Sequence, residues 1–340
     1  MAVGHWNTLA EAQKLTQSHL VPKVIEEDVK RFNLLERLPV AQALGKSIKW
    51  NRENAVVAAA QVDVGEQLSW TAAQTYDQQE TELKRCYVQR VLDKFVSEVY
   101  GTINNYEAQM LLEMEKGMVR HLGNQIIYGD LTYSSGNKEA DGLHALAAVQ
   151  TGTDLDIDEA GGLSLANLRT QIDAMKHGVD FILMPFEIAR RVDAAYQETG
   201  FVALKTATAG NLGMISYGVN EQGKRVTYFD GIPIIRTDYL VAEQAATGEG
   251  SSAMAVYSSG TKEYSAFCVK LGNVIAGEPG LCLGFGNTDN AGDFYRVEYF
   301  DKLEDYDAGG VRIVNYSAPL LGSKLCLGRI YGITDVAVVA

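Results

Sequence analysis

Apolar residues recur three to four positions apart over residues 5–38: Leu9, Ala12, Leu15, Leu20, Val24, Ile25, Val29, Phe32 and Leu35. That spacing predicts amphipathic helix pieces, interrupted at Pro22. An arm with one apolar stripe and few local partners must dock on the rest of the chain or on a neighbour. The period changes after "RLPVAQALGK": "SIKWN" and "AQVDVGEQLSW" alternate apolar and polar positions, which predicts extended strands. Between them lies the small-residue run "RENAVVAAA", and beyond them the polar "TAAQTYDQQETELKR" leads into "CYVQRVLDKF". Residues 46–90 read as a long hairpin that leaves the body and returns, with a Gln- and Ala-rich middle too polar for a core.

The strongest helical pattern covers residues 103–127, where Ala108, Leu111, Leu112, Glu115, Met118, Val119, Leu122 and Ile126 recur at helical spacing, with one charge intruding. Asn104 or Asn105 suits the N-cap, and Glu107, Glu113 and Glu115 sit early, where the helix dipole favours them. Residues 150–165, with "TGTDLDIDEAGGLS", read as an acidic, Gly-rich linker and a domain boundary. A helix ("LANLRTQIDAMKHG"), a strand ("DFILM") and a helix opened by Pro185 and closed by Gly200 follow. The remainder is short strands between Gly, Asp and Asn turns, so the plan is α+β, helix-rich first and β-rich second.

Composition narrows the function classes. The chain has 340 residues, 46% hydrophobic and 21% charged, with a formal net charge of −13. A protein that grips a nucleic-acid backbone presents a basic face, and no such Lys/Arg cluster occurs, which argues against specific nucleic-acid binding. The N-terminus lacks a signal-peptide pattern and no window reaches the roughly 18 apolar residues needed to span a bilayer. A soluble product made in the cytoplasm is expected, with no membrane partner. Cys86, Cys268, Cys282 and Cys326 fall far apart, and the last three lie in apolar strand-like runs. They read as inert core thiols rather than a zinc site.

Catalytic motifs are wanting. His5, His19, His121, His144 and His177 form no paired metal motif, and neither a GxSxG elbow nor a GxxxxGK[ST] loop is present. "TDLDIDEA" lacks the glycine and the closing glutamate of a calcium loop. The stretch "GNQIIYGDLTYSSGNKEADGLHAL" places Asp130, Asp141 and His144 close together. These could serve an acidic metal-dependent hydrolase; equally, the carboxylates could be a helix stop and a turn residue.

Several segments, in order, resemble the major capsid proteins of tailed bacteriophages with the HK97-type fold, most closely the coat proteins of short-tailed phages of the epsilon15 type. They are "EAQMLLEMEKGMVRHLGNQIIYGD" followed by "ADGL", then "DFILMPFEIARRVDAAYQ", "FDGIPIIRTDYL" and "FYRVEYFDKLEDYDAGGVRIVNY". The first is similar to the spine helix and its exit. The resemblance implies an N-terminal arm (1–45), an extended hairpin loop (46–90), a peripheral domain (91–150 and 276–317, spine helix about 103–127) and an axial domain (151–275 and 318–340).

It further implies a structural role without catalysis, cofactor or metal. Copies would form hexamers and pentamers of an icosahedral phage head around double-stranded DNA, assembled in the host cytoplasm and ending in the virion. A separate scaffolding protein, a portal and a decoration protein are the implied partners. On the extended hairpin loop, Trp50, Trp70, Lys49, Glu66, Lys84 and Arg85 are the intersubunit contact candidates. An encapsulin-like cellular compartment is the alternative within the same fold, and the hydrolase is the alternative outside it.

Overall fold

The computed structural model describes residues 29–53, 56–68, 70, 76–95, 98, 106–132, 138–150, 152–198, 215–219, 225–244, 257–286, 294–303 and 307–339. Most of the predicted arm, the N-cap candidates Asn104 and Asn105, and Gly200 lie outside the described residues. The end of the arm is not the expected helix. Residues 29–38 run irregularly around a single 3-10 turn, Leu34–Glu36. Phe32 has a left-handed φ of 56°, which an α-helix cannot contain. Asn33 accepts from the Leu35 N–H (3.1 Å) and donates to the Val119 carbonyl (3.1 Å), so it caps the turn and ties it to the long helix.

Numbered along the chain, β2 (Ser47–Glu53) and β3 (Tyr76–Glu82) pair antiparallel as a two-stranded sheet. The chain then leaves the hairpin, and β4 (Lys84–Asp93) forms a ten-pair ladder with β14 (Ala308–Leu321). With β1 (Val40–Ala43), β12 (Leu281–Gly286) and β13 (Arg296–Phe300), these make a five-stranded sheet. Helix α1 (Tyr106–Tyr128) crosses one face of it. Met110, Met114, Met118 and Leu122, spaced at one helical turn, pack against Val311, Ile313, Cys86, Val88 and Leu92. The predicted helix is thus found three residues later at its start and one at its end.

The second sheet has eight strands. Its main path runs β5 (Asp156–Gly161), β15 (Leu327–Thr334), β11 (Lys262–Val269), β6 (Phe181–Pro185), β9 (Ile232–Thr237), β8 (Arg225–Phe229) and β7 (Ile215–Val219). A short β10 (Glu243–Gln244) pairs beside β11. Both faces of the central strands are covered, which is why "FILMP" and "SAFCV" read as continuous apolar runs rather than alternating ones. On one face, α3 (Leu165–Ala174) and α4 (Phe186–Glu198) bring Leu168, Ile188 and Val192 onto Ile182, Cys268 and Ile330. Pro185 closes β6 rather than opening α4.

On the other face, Phe181, Leu183, Phe267 and Leu327 meet Ile126 and Ile127 of α1, Leu143 and Ala147 of α2 (Leu143–Ala148), and Leu281, Leu283 and Leu321 of the five-stranded sheet. This shared core joins the two sheets. The free thiols belong to these cores: Cys268, Cys282 and Cys326 are buried and Cys86 half-buried. Burial pushes Cys268 up to about 12 and Cys86 and Cys326 up to about 11, so they remain neutral and inert.

Residues 156–161, expected as part of a solvated linker, form edge strand β5, parallel to β15. Their carboxylates are acceptors. Asp158 takes the Ala160 N–H, Glu159 takes the Ser164 N–H and the Asn167 amide, and Asp156 is inside the protein. Composition suggested solvent, but each charge has a donor.

The joint after α1 closes on itself. Gly142 N–H donates to the Gly129 carbonyl (2.7 Å), and Asp141 Oδ1 accepts from the Leu131 N–H (2.9 Å). A Cβ at Gly142 would lie 2.7 Å from the Gln125 carbonyl oxygen and 2.8 Å from the Gly129 nitrogen and Ile126 oxygen, all backbone atoms. Gly142→Ala is expected to cost about 1–3 kcal/mol, read as a lowered urea midpoint at unchanged slope.

Candidate functional site

The hairpin divides into a docked root and a bare tip. At the root, Ile48 and Trp50 of β2 pack on Val274, Cys282 and Leu320. Trp50 Nε1 donates to the Gly322 carbonyl at 3.1 Å. Arg52 donates from Nε to the same oxygen (2.7 Å) and from Nη2 to the Leu321 carbonyl (2.6 Å). Its guanidinium also sits 5.8 Å from the centre of the Trp50 ring. Burial lowers the Arg52 pKa, opposed by Asp77 directly across the ladder. Two adjacent carbonyls at the end of β14 therefore fix the hairpin to the body, in the turn that leads to β15.

The charged candidates lie on the surface of the hairpin and of the neighbouring strand β4. Lys49 pairs with Glu80 across the ladder (3.1 Å). Glu82 accepts from Lys46 (3.0 Å) and Lys84 (3.2 Å), and these lysines hold its carboxyl below the usual range. Exposed cross-strand pairs of this kind contribute ~0.2–1 kcal/mol and mainly set register. Arg85 is exposed on β4, opposite Tyr316. Glu66 accepts from the Asp63 N–H (3.0 Å) and holds the turn at the tip.

Trp70 behaves unlike Trp50. Its relative exposure is 101%, and Val64 (101%), Val56 (81%) and Leu68 (72%) share that condition. The six candidate residues do not converge on one point: Trp50 faces its own chain, Lys49 and Lys84 are paired along the strands, and Glu66 and Trp70 lie in the tip segment.

Asp130, Asp141 and His144 do not converge either. Asp130 Oδ1 accepts from the Thr132 N–H and hydroxyl, both at 2.7 Å. Asp141 caps Leu131, as described above. These are the turn roles that the sequence offered as one reading. His144 instead enters the core at the first turn of α2, stacked on Tyr128 (centroids 5.0 Å) with the Phe267 edge against it (4.9 Å). Among the described residues, no three His, Cys, Asp or Glu side chains are grouped as a metal site.

The ring belongs to a buried charge cluster. Arg329 of β15 is fully buried, and its Nε and Nη2 donate to the two oxygens of Asp156 (2.7 and 3.0 Å). Its Nη1 lies 3.4 Å from His144 Nδ1. Guanidinium can only donate, so Nδ1 must accept and the ring proton sits on Nε2. That nitrogen faces Glu243 Oε1 at 3.3 Å, and Glu243 Oε2 accepts from the Ser265 hydroxyl (2.6 Å). Burial lowers the His144 pKa, with Glu243 opposing and Arg329 reinforcing. Burial, reinforced by Glu243, raises the Tyr128 phenol well above its usual value.

Arg52, Asp156, Glu243 and Arg329 were not singled out from sequence. The usable signal is a lone arginine inside a mostly apolar strand ("LGRIYGI") and the second aspartate of an alternating run ("DLDIDEA"), since a charge in a buried strand demands a partner.

No protein-family model and no curated protein matches the sequence. Solved structures match it over nearly its whole length. The holo-SrpI encapsulin complex from Synechococcus elongatus PCC 7942 superposes with a TM-score of 0.66 at 10% identity, covering 98% of each chain. The capsid of the native GTA particle gives 0.60 at 11% identity, covering 97% of this chain and 100% of that one. The capsid of cyanophage P-SCSP1u gives 0.59 at 13%, covering 97% and 96%. The chain therefore has the α+β HK97-type fold found in phage capsids and an encapsulin.

Two variants separate root from cluster. Arg52→Ala is expected to cost about 1.5–3 kcal/mol and to speed proteolysis within residues 54–75 while the body stays resistant. Arg329→Ala strands Asp156 in the core and is expected to cost about 3–5 kcal/mol by urea denaturation.

Proposed function

We propose that the protein is a shell-forming structural protein, the major capsid protein of an icosahedral phage head. One observation carries the reading: the fold matches capsid and encapsulin chains end to end in both directions, with nothing large left over on either side. The hairpin supports it independently. Strands β2 and β3 pair only with each other among the described residues, and an isolated two-stranded hairpin is marginal in water. Its tip holds Trp70, Val64 and Leu68 in solvent. A neighbouring copy that covers them stabilises the hairpin and binds the copies in the same step, because buried aromatics dominate interface energetics.

In this reading the five-stranded sheet with α1 is the peripheral domain and the eight-stranded sheet with α3 and α4 the axial domain, which meets its copies at the centre of hexamers and pentamers. The arm is the proposed role of the segment before Val40, since Val40–Ala43 belongs to the five-stranded sheet. The role is architectural rather than catalytic. A formal net charge of −13 suits a wall around packed double-stranded DNA, since like charge keeps the genome from adhering to it. A scaffolding protein, a portal and a decoration protein are the proposed partners, and the virion the destination.

An encapsulin-like compartment is the second reading, favoured by the 0.66 TM-score to an encapsulin complex. Purification by size exclusion with negative-stain imaging, alone and with a co-expressed scaffold, tests both. Closed shells or capsomer rings are expected. Shells that co-purify with an enzyme cargo would favour the compartment, and a monomer under every condition would overturn both. Trp70→Ser combined with Val64→Ser is expected to leave the urea midpoint of the dissociated chain unchanged and to raise the concentration needed for assembly at least tenfold.

A further inference from the structure

We propose that the His144 cluster is an acid-operated latch, which holds α2 and the C-terminal end of α1 on the eight-stranded sheet while the imidazole is neutral and releases them when it takes up a second proton. Among the described residues, the groups facing the ring come from every element packed on it. Tyr128 comes from α1, Asp156 from β5, Glu243 from β10, Ser265 and Phe267 from β11, and Arg329 from β15, with its guanidinium 4.6 Å from the Tyr331 ring centre. No other ionisable side chain lies on α2 itself, whose sequence is LHALAA.

The geometry decides where a second proton would go. Nε2 already carries the neutral ring's hydrogen on the side facing Glu243 Oε1, 3.3 Å away but outside hydrogen-bond geometry. The incoming proton must bind Nδ1, 3.4 Å from the Arg329 guanidinium. There it would set donor against donor and cation against cation, while both Asp156 oxygens accept from Arg329. The ring is fully buried, so water cannot supply the missing acceptor. Attraction to Glu243 and Asp156 opposes these effects, but a buried N–H with no acceptor pays its full desolvation. Protonation therefore accompanies exposure. Opening at this point lifts a six-residue helix from the sheet and loosens the exit of α1, whereas the α1 methionine face on the five-stranded sheet lies elsewhere and contains no part of the cluster.

The sign follows from linkage. The open state binds one more proton than the closed state at pH values below the ordinary histidine pKa of about 6.5, so stability of the closed state is present above that pH and lost as pH falls. One proton gained on opening means the opening equilibrium rises about tenfold per pH unit in that range. Hydrogen–deuterium exchange of the full chain at pH 7.5, 6.0 and 5.0, corrected for intrinsic exchange, reads this directly. Protection over residues 123–128 and 143–148 is expected to fall about tenfold per unit below pH 6.5, while residues 308–317 keep theirs.

His144→Gln, whose amide can accept from Arg329 and donate toward Glu243 without titrating, is expected to abolish the pH dependence in those segments. Should that variant fold poorly, the imidazole nitrogen spectrum of the wild type serves instead, and Nε2–H neutral His144 is expected in the closed protein below pH 6. The same acid loss of protection in the Gln variant, or a protonated His144 ring in a fully protected wild type, would overturn the latch.

Discussion

A guanidinium cut off from water is the constraint on which the eight-stranded sheet depends. Arg329 lies in mid-strand with no exposed surface, and leaving its charge and donors unmet would cost more than the strand's apolar neighbours return. Every nearby element is placed to meet that demand. Strand β5 adds an edge whose one inward carboxylate sits directly opposite, in register Asp156↔Arg329. Helix α2 brings a histidine nitrogen, and β10 a second carboxylate behind it. The row across this face reads Asp156, Arg329, Phe267, Leu183, Ile235, with charge at the edge grading into the shared core.

The hairpin shows the same physics with the opposite outcome. At its root, Arg52 is desolvated without a carboxylate at the contact and is satisfied by two carbonyls, Gly322 and Leu321. Those oxygens lie in the turn between β14 and β15, where Gly322 also donates to the Gly280 carbonyl (2.9 Å). The hairpin is therefore mounted on the turn that connects the two sheets. Among the described residues its tip has no such mounting and displays Trp70 and Val64 instead. A chain that anchors one end of a projection and leaves the other apolar and bare has divided it between an intramolecular and an intermolecular use.

The parts legible from sequence were those governed by periodicity. The α1 stripe, the alternating hairpin strands and the buried strand "DFILM" all announce themselves through apolar spacing, which survives whatever else the chain does. The failures came where a polar residue had a partner far along the chain. The acidic neighbours of Asp156 predict a solvated side chain, yet its donor is 173 positions away. Sequence proximity groups His144 with Asp130 and Asp141, while its companions in the fold come from β5, β10 and β15. The Trp50 and Trp70 pair was undecidable locally, since only the position of Gly322 distinguishes a docked indole from a bare one. Phe32 and Asn33 broke a helical stripe for a similar reason, a hydrogen bond to Val119 across the fold.

Why the joint should be polar at all follows from what apolar packing cannot specify. Well-packed Met, Leu or Tyr residues can replace a buried ion network at equal or greater stability. Strand β5 is a parallel edge strand, and sheet edges tolerate slippage unless something pins them. A one-residue slip would turn Asp156 into the apolar face that contains Ile182 and Ile330, and would bring Ile157 against Arg329. Both errors strand a charge, so the bidentate pair penalises the wrong register far more than it stabilises the right one. The same argument extends to α2. Apolar contacts alone would let a six-residue helix roll, whereas His144 has one orientation that accepts from Arg329 and donates toward Glu243. Specification by hydrogen-bond direction has a cost that apolar packing lacks: it holds for only one protonation state of the ring. The features that give this joint a unique geometry are therefore the ones that make it sensitive to protons.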